Sequence, residues 1–125
     1  MKRIIRTTNA PEPIGPYSQA VEAGNTLYVS GQIPIDPATN ELVKGSITDE
    51  ATMVMKNVLA VLEEAGYSID NVVKTSIFLS DMAHFGEVNT VYGSFFNADF
   101  PARETVAAAG LPKNVNVEIS VIAVK

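Results

Sequence analysis

The chain contains no cysteine and only one histidine, His84. Those two shortages remove most of the familiar catalytic equipment. Without cysteine there is no disulfide, no thiolate nucleophile and no thiolate metal site, and the composition suits a reducing compartment. A Cys-His pair is impossible, a Ser-His-Asp triad has only His84 to recruit, and a zinc site built from the usual Cys and His ligands fails on count. His84 directly follows Asp81-Met82-Ala83 and reads as a partly exposed residue at a helix start. No pair of aspartates has the spacing of a DxD magnesium site. Chemistry must therefore come from Arg, Glu, Tyr, Ser and backbone groups.

Long apolar runs are also missing. None approaches the ~18 residues of a membrane helix, and Met1 to Arg6 passes into polar Thr7-Thr8-Asn9 without the apolar stretch of a signal peptide. A soluble, cytoplasmic protein with no membrane partner is expected. Basic charge is scarce, with nine Lys and Arg against fourteen Asp and Glu, a net charge of -5. That sign repels phosphate backbones, so a nucleic-acid partner is disfavoured. The cations are scattered apart from Lys2, Arg3 and Arg6, which read as a solvated terminus.

What is present fits one domain spanning residues 1–125, with no linker, repeat or shift in composition. A chain of this length buries roughly 65% of its unfolded surface, enough for a real core. Ser18 to Ala23 and Thr26 to Ser30 read as strands joined by a two-residue turn at Gly24-Asn25. Asp36 to Gly45 reads as a polar connection. Thr48 to Ala65 predicts a helix, with Thr48 as cap, Asp49 and Glu50 in the first turn and Gly66 as the stop. Its apolar face is Ala51, Val54 or Met55, Val58, Val61 or Leu62, and Ala65. Val72 to Ser80 predicts a strand with Val73, Thr75, Ile77 and Leu79 on one face. His84 to Asn97 predicts a second helix whose core stripe is Phe85, Val88, Tyr92 and Phe95 or Phe96. Two strands, Arg103 to Ala109 and Val115 to Val124, complete the chain around a Gly110-Leu111-Pro112 turn. This order gives an α+β domain with both helices on one face of the sheet. In the last strand Val115, Val117, Ile119 and Val121 suit the core, while Asn116, Glu118, Ser120, Ile122 and Val124 give the other face a mixed character that suits a partner.

Few residues stand out for chemistry. Arg103 opens a strand straight after Asp99-Phe100-Pro101-Ala102, and its planar fork suits a carboxylate, although a surface or interfacial salt bridge is the plainer role. Glu118 is an acid within a run of valines and isoleucines, where pairing, an interface or a function is needed to justify it. Tyr17 follows Gly15-Pro16 and is either a half-buried tyrosine or a pocket wall. Ser30-Gly31 ends a strand where glycine allows close approach or simply a bend.

As a set these signals are specific. Gly15-Pro16-Tyr17-Ser18-Gln19-Ala20, Val29-Ser30-Gly31-Gln32-Ile33-Pro34 and Pro101-Ala102-Arg103 occur in this order, followed by Gly110-Leu111-Pro112 and Val117-Glu118-Ile119. The set resembles the RidA/YjgF (Rid) family over nearly the whole chain, including the Asn57, Leu62 and Gly66 pattern of the first helix. The resemblance implies a chorismate-mutase-like α+β fold with a mixed sheet, assembled as a homotrimer around a central β-barrel, with active sites between subunits. It further implies hydrolysis of reactive 2-imino acids such as 2-iminobutanoate and 2-iminopropanoate to 2-oxo acids and ammonia. Residue by residue, Arg103 would bind the substrate carboxylate, Glu118 would position or activate water, and Tyr17, Ser30, Gly31 and Thr105 would line the pocket. No cofactor and no metal are implied.

Two positions depart from the family pattern. Thr105 stands where many members have Cys, and Glu104 replaces a small residue after the arginine, although alternation turns Glu104 away from Arg103 and Thr105. Two other functions compete. A ribonuclease or translation inhibitor, also attributed to the family, sits poorly with an acidic chain holding one histidine. A non-catalytic module that binds small carboxylates would use the same Arg103.

Overall fold

The computed structural model describes residues 1–125. The turn between the second and third strands is set by Gly24, whose φ of +62° few other residues adopt cheaply. That turn joins β2 (Ala20–Ala23) to β3 (Thr26–Gln32), with Ala23 opposite Thr26 across a two-residue loop. The remaining strands are β1 (Lys2–Ile5), β4 (Ile35–Asp36), β5 (Glu41–Leu42), β6 (Val72–Leu79), β7 (Ala102–Ala107) and β8 (Val117–Val124). The helices are α1 (Ile47–Glu64) and α2 (Phe85–Ser94). Six strands form one sheet in the order β1-β2-β3-β8-β6-β7, with β6 and β7 parallel and the other pairs antiparallel.

Burial alternates strictly along β8: Val117, Ile119, Val121 and Ala123 are buried under the helices, and Glu118, Ser120, Ile122 and Val124 face the other way. Helix α1 lies over β8 and β3, and α2 packs beside α1. Both alternatives in the predicted α1 stripe are filled, since Val54, Met55, Val61 and Leu62 are all buried. Removing a buried side chain of this size costs about 2–5 kcal/mol in comparable cores. No element covers the second face of the sheet, where Ile4, Val21, Tyr28 and Ile122 stand in register across four strands. Ile4 and Tyr28 are exposed there.

The structure corrects several expectations. The amino-terminal basic segment is not a free terminus but the edge strand β1, paired with β2, and Arg3 binds Glu22 at 2.9 Å. The α1 cap is Ser46, whose hydroxyl accepts the Asp49 N–H at 3.0 Å, so the helix starts before Thr48. The Asp36 to Gly45 connection is not without an element: it carries β5, which folds back on β4 as a short hairpin turned at Asn40 with φ 61°. Val73 is 48% exposed although alternation placed it on the face of Thr75, Ile77 and Leu79, which is the buried one, because a register shift between Val72 and Lys74 adds a residue to β6 and buries Val72 instead. Val115 is buried with Ile33 and Ile35, but lies before β8 rather than within it. Phe85 is not a core residue. It opens α2 partly exposed, while Val88, Val91 and Tyr92 form the buried stripe.

Candidate active site

Arg103 lies opposite Thr75 in the parallel β6-β7 pair, and Thr75 is fully buried beneath α2. In-register neighbours share a face, so Arg103 also points to the helix side. Its guanidinium carbon sits 5.1 Å from the ring centre of Tyr92 and 5.7 Å from that of Phe85. These ring faces attract a cation without neutralising it. None of the three ion pairs in the chain, Arg3–Glu22, Arg6–Glu12 and Lys74–Glu104, involves Arg103. The plainer salt-bridge role is therefore absent within the chain. The Tyr92 hydroxyl is hydrogen-bonded to Thr75 Oγ1 at 2.9 Å, which fixes the ring under the arginine, and burial raises its pKa.

A cavity of about 310 Å³ opens beside this group, lined by Asn89, Tyr92, Gly93, Phe100, Pro101 and Arg103. Asp99, at φ 55°, turns the chain so that Phe100 and Pro101 form its wall before β7 begins. Thr105 follows on the same face as Arg103, and its buried hydroxyl has no hydrogen-bond partner. Glu104 points to the opposite face as expected. It meets Lys74 at 3.0 Å and the Ser76 hydroxyl, and the Ser76 and Lys74 contacts together hold its carboxyl below the usual range.

The other predicted residues gather elsewhere. β3 carries a bulge: Val29 pairs with Val121 and Gln32 with Ile119, leaving Ser30 and Gly31 to span a step that β8 makes with one residue. The Ser30 hydroxyl donates to the Ser18 carbonyl at 2.6 Å. Over the bulge lies Glu118, and a Cβ on Gly31 would sit 2.4 Å from its Oε2. Within the chain it is this carboxyl, not a ligand, that lies close against Gly31. Glu118 has no hydrogen-bonded or ionic partner in the chain, and burial raises its pKa. Tyr17 and Gly31 line one small crevice, with the Tyr17 hydroxyl accepting the Ile14 N–H at 3.3 Å.

The candidate residues form two groups. Arg103 and Thr105 are on the helix side of edge strand β7. Glu118 pairs with Phe78 and lies on the open side, with Gly31 on the next strand. Strands are spaced about 4.8 Å apart, which places Gly31 about 14 Å from Arg103 across the sheet and on the other face. One chain does not bring the two groups onto one small molecule. Phe85 and Tyr92, read from sequence as core, prove to be the cradle of Arg103. Their spacing of seven residues, which puts both on one helix face just before the arginine strand, is the signal that could have revealed it.

The model of the Endoribonuclease L-PSP family matches residues 7–125. A RutC family protein of Pyrococcus horikoshii is 52% identical over 125 residues, covering 100% of this chain and 99% of that one. A 2-iminobutanoate/2-iminopropanoate deaminase of Dermatophagoides farinae is 52% identical over 123 residues, 98% of this chain and 96% of its own. Among solved structures, E. coli TdcF with bound serine superposes with a TM-score of 0.94 at 40% identity, covering 98% of each chain. By sequence over nearly its full length and by fold, the chain belongs to the Endoribonuclease L-PSP family, the group of Rid proteins that its motifs resemble.

Proposed function

We propose that this protein is an imine deaminase acting on 2-iminobutanoate and 2-iminopropanoate, in sites that each combine Arg103 and Thr105 of one copy with Tyr17, Ser30, Gly31 and Glu118 of the next. The observation that carries this reading is the uncompensated guanidinium of Arg103, held on two ring faces beside a cavity. Such a fork suits a carboxylate through two charge-assisted hydrogen bonds. The orphaned Thr105 hydroxyl supplies a further polar contact beside it. Relatives from mite, mouse and human bear the deaminase name, and a structural neighbour holds serine, itself a small 2-substituted carboxylate.

The split of the site favours a closed ring of copies. Each chain offers one group at the β7 edge and the other on the open sheet face, so a head-to-tail contact repeats until the ring closes. Three copies, as in the Rid resemblance, give three sites and cover the apolar row of Ile4, Val21, Tyr28 and Ile122.

The chemistry needs little more. With the carboxylate anchored, water adds to the imine carbon, and Glu118 accepts a proton from that water. Glu118 returns that proton to the imine nitrogen, giving a carbinolamine; its C–N bond then breaks as the hydroxyl proton passes to nitrogen, so ammonia leaves and the hydroxyl becomes the carbonyl of the 2-oxo acid. Burial that raises the Glu118 pKa brings this base nearer the working pH. The test is to generate 2-iminobutanoate with a threonine dehydratase and follow its disappearance. Acceleration above the spontaneous rate is expected, and an unchanged rate at high protein concentration refutes the reading.

A further inference from the structure

We infer that Gln19 is a positioning residue, clamping the Tyr17 segment to the Ser30-Gly31 bulge and so fixing where the Glu118 carboxyl lies; its catalytic consequence rests on the proposed function. Gln19 is 2% exposed, deep burial for a polar side chain. Its Oε1 accepts the Thr7 N–H at 2.7 Å. Its Nε2 faces three carbonyls, Thr7 at 3.0 Å, Pro11 at 2.9 Å and Ala10 at 3.3 Å. An amide has two N–H donors, so the two shorter contacts take them and the third is shared. Flipping the amide would set Oε1 against three acceptors and Nε2 against a donor, so its orientation is dictated by its partners.

The same residue reaches the other side through its backbone. The Ser30 N–H donates to the Gln19 carbonyl at 2.9 Å, and the Ser30 hydroxyl donates to the Ser18 carbonyl. Three separate pieces of chain therefore meet at Gln19: residues 7–11, the start of the Tyr17 hairpin, and the bulge. Other ties on this segment are weaker, an exposed Arg6–Glu12 pair and the long Ile14 N–H contact to Tyr17. Exposed ion pairs contribute little order. Gly31 is the platform beneath Glu118, so displacement of the bulge moves the carboxyl with it.

Gln19→Met keeps length and apolar packing but removes all four polar contacts. Two readouts are taken on the assembled protein well below its melting temperature: kcat and KM for imine hydrolysis, and titration of the Glu118 carboxyl by carbon NMR. Positioning predicts that kcat falls about 10-fold or more, by a larger factor than any rise in KM, because the Arg103 anchor is untouched while the Tyr17 and Ser30 walls shift. It also predicts a Glu118 titration shifted from that of the unmodified protein. Gln19→Glu serves as the conservative variant: its neutral form keeps the Thr7 contact and one donor, so its kcat, taken as a fraction of that of the unmodified protein at the same pH, should be partly rescued at low pH and lost at higher pH, and it is used alone if Gln19→Met does not fold. A lower melting temperature with unchanged kcat and an unchanged Glu118 titration overturns the inference and leaves Gln19 a structural residue. Should the unmodified protein fail to hydrolyse the imine, the proposed function falls, and the Glu118 titration alone still decides the clamp.

Discussion

Gly31→Ala tests the contact between β3 and Glu118 with the smallest possible perturbation. The added methyl carbon would lie 2.4 Å from Glu118 Oε2, 2.8 Å from Cδ and 3.0 Å from Cγ. Three atoms of one side chain are crowded together, so rotating the terminal oxygens is not enough. Restoring ordinary contact requires the carboxyl to retreat by about 1 Å, and misplacing a catalytic group by that distance costs on the order of 100-fold in rate. That factor corresponds to about 2.7 kcal/mol of transition-state stabilisation. Folding should barely change, because Gly31 is not among the residues with positive φ and Glu118 has no bond to lose. Gly86→Ala is the matched comparison. A Cβ there meets nothing within 4 Å, and because Gly86 lies in the first turn of α2 rather than its interior, the change should leave folding unchanged or stabilise it by less than about 1 kcal/mol, with turnover unchanged. Imine hydrolysis and thermal melting are measured on both variants. Full turnover in Gly31→Ala would refute the placement of Glu118 at the reacting centre.

Arg103→Lys keeps the charge but loses the fork, so kcat/KM should fall roughly 30-fold to 1,000-fold with the assembly intact, corresponding to about 2–4 kcal/mol; unchanged kinetics would remove the anchor assignment. Glu118→Gln should lower turnover by roughly 100-fold. The same variant carries a stability test with a definite sign. Burial raises the Glu118 pKa, so the folded state binds that proton more tightly than the unfolded chain does. The resulting stabilisation is present below the ordinary glutamate value and is lost as pH rises through the raised one. Glu118→Gln should therefore melt higher than the parent near neutral pH, with the gain disappearing near about pH 4. Sedimentation equilibrium should report three chains per particle, and a monomer at micromolar concentration would contradict a site shared between copies.

The parts of the fold that sequence revealed are those set by local pattern. The alternation in β8, the stripe of α1 and the Gly24 turn each depend on neighbours in the chain, and all three are found. What escaped depends on distant pairing. Lys2-Arg3-Ile4-Ile5 is too short and too charged to announce a strand, and it becomes one because β2 offers a free edge and Glu22 a partner for Arg3. Val73 fails alternation because the β6 bulge is a mismatch with β8, invisible in β6 alone. In the site, alternation correctly separated Glu104 from Arg103. It could not relate Arg103 to Glu118, since their faces depend on β7 running parallel to β6 while β8 runs antiparallel to it. Aromatic spacing in α2 likewise marked Phe85 as core, because periodicity does not distinguish a ring packed on leucine from one packed on a guanidinium.

Arg103 and Glu118 face opposite ways from strands that are not neighbours, so in a site shared between copies, as proposed above, a defect in either is one that a second, different defect can repair. Consider a three-membered ring assembled from chains that each lack one of the two groups. Going round any mixed ring, one junction joins an intact Arg103 to an intact Glu118, whichever variant is in the majority. Random reassortment of equal amounts of Arg103→Lys and Glu118→Gln chains should thus restore about a quarter of the sites, although each parent is strongly impaired. In genetic terms the two alleles complement one another within a single gene. Imine hydrolysis measured on the mixed assembly would then exceed that of either parent assembly.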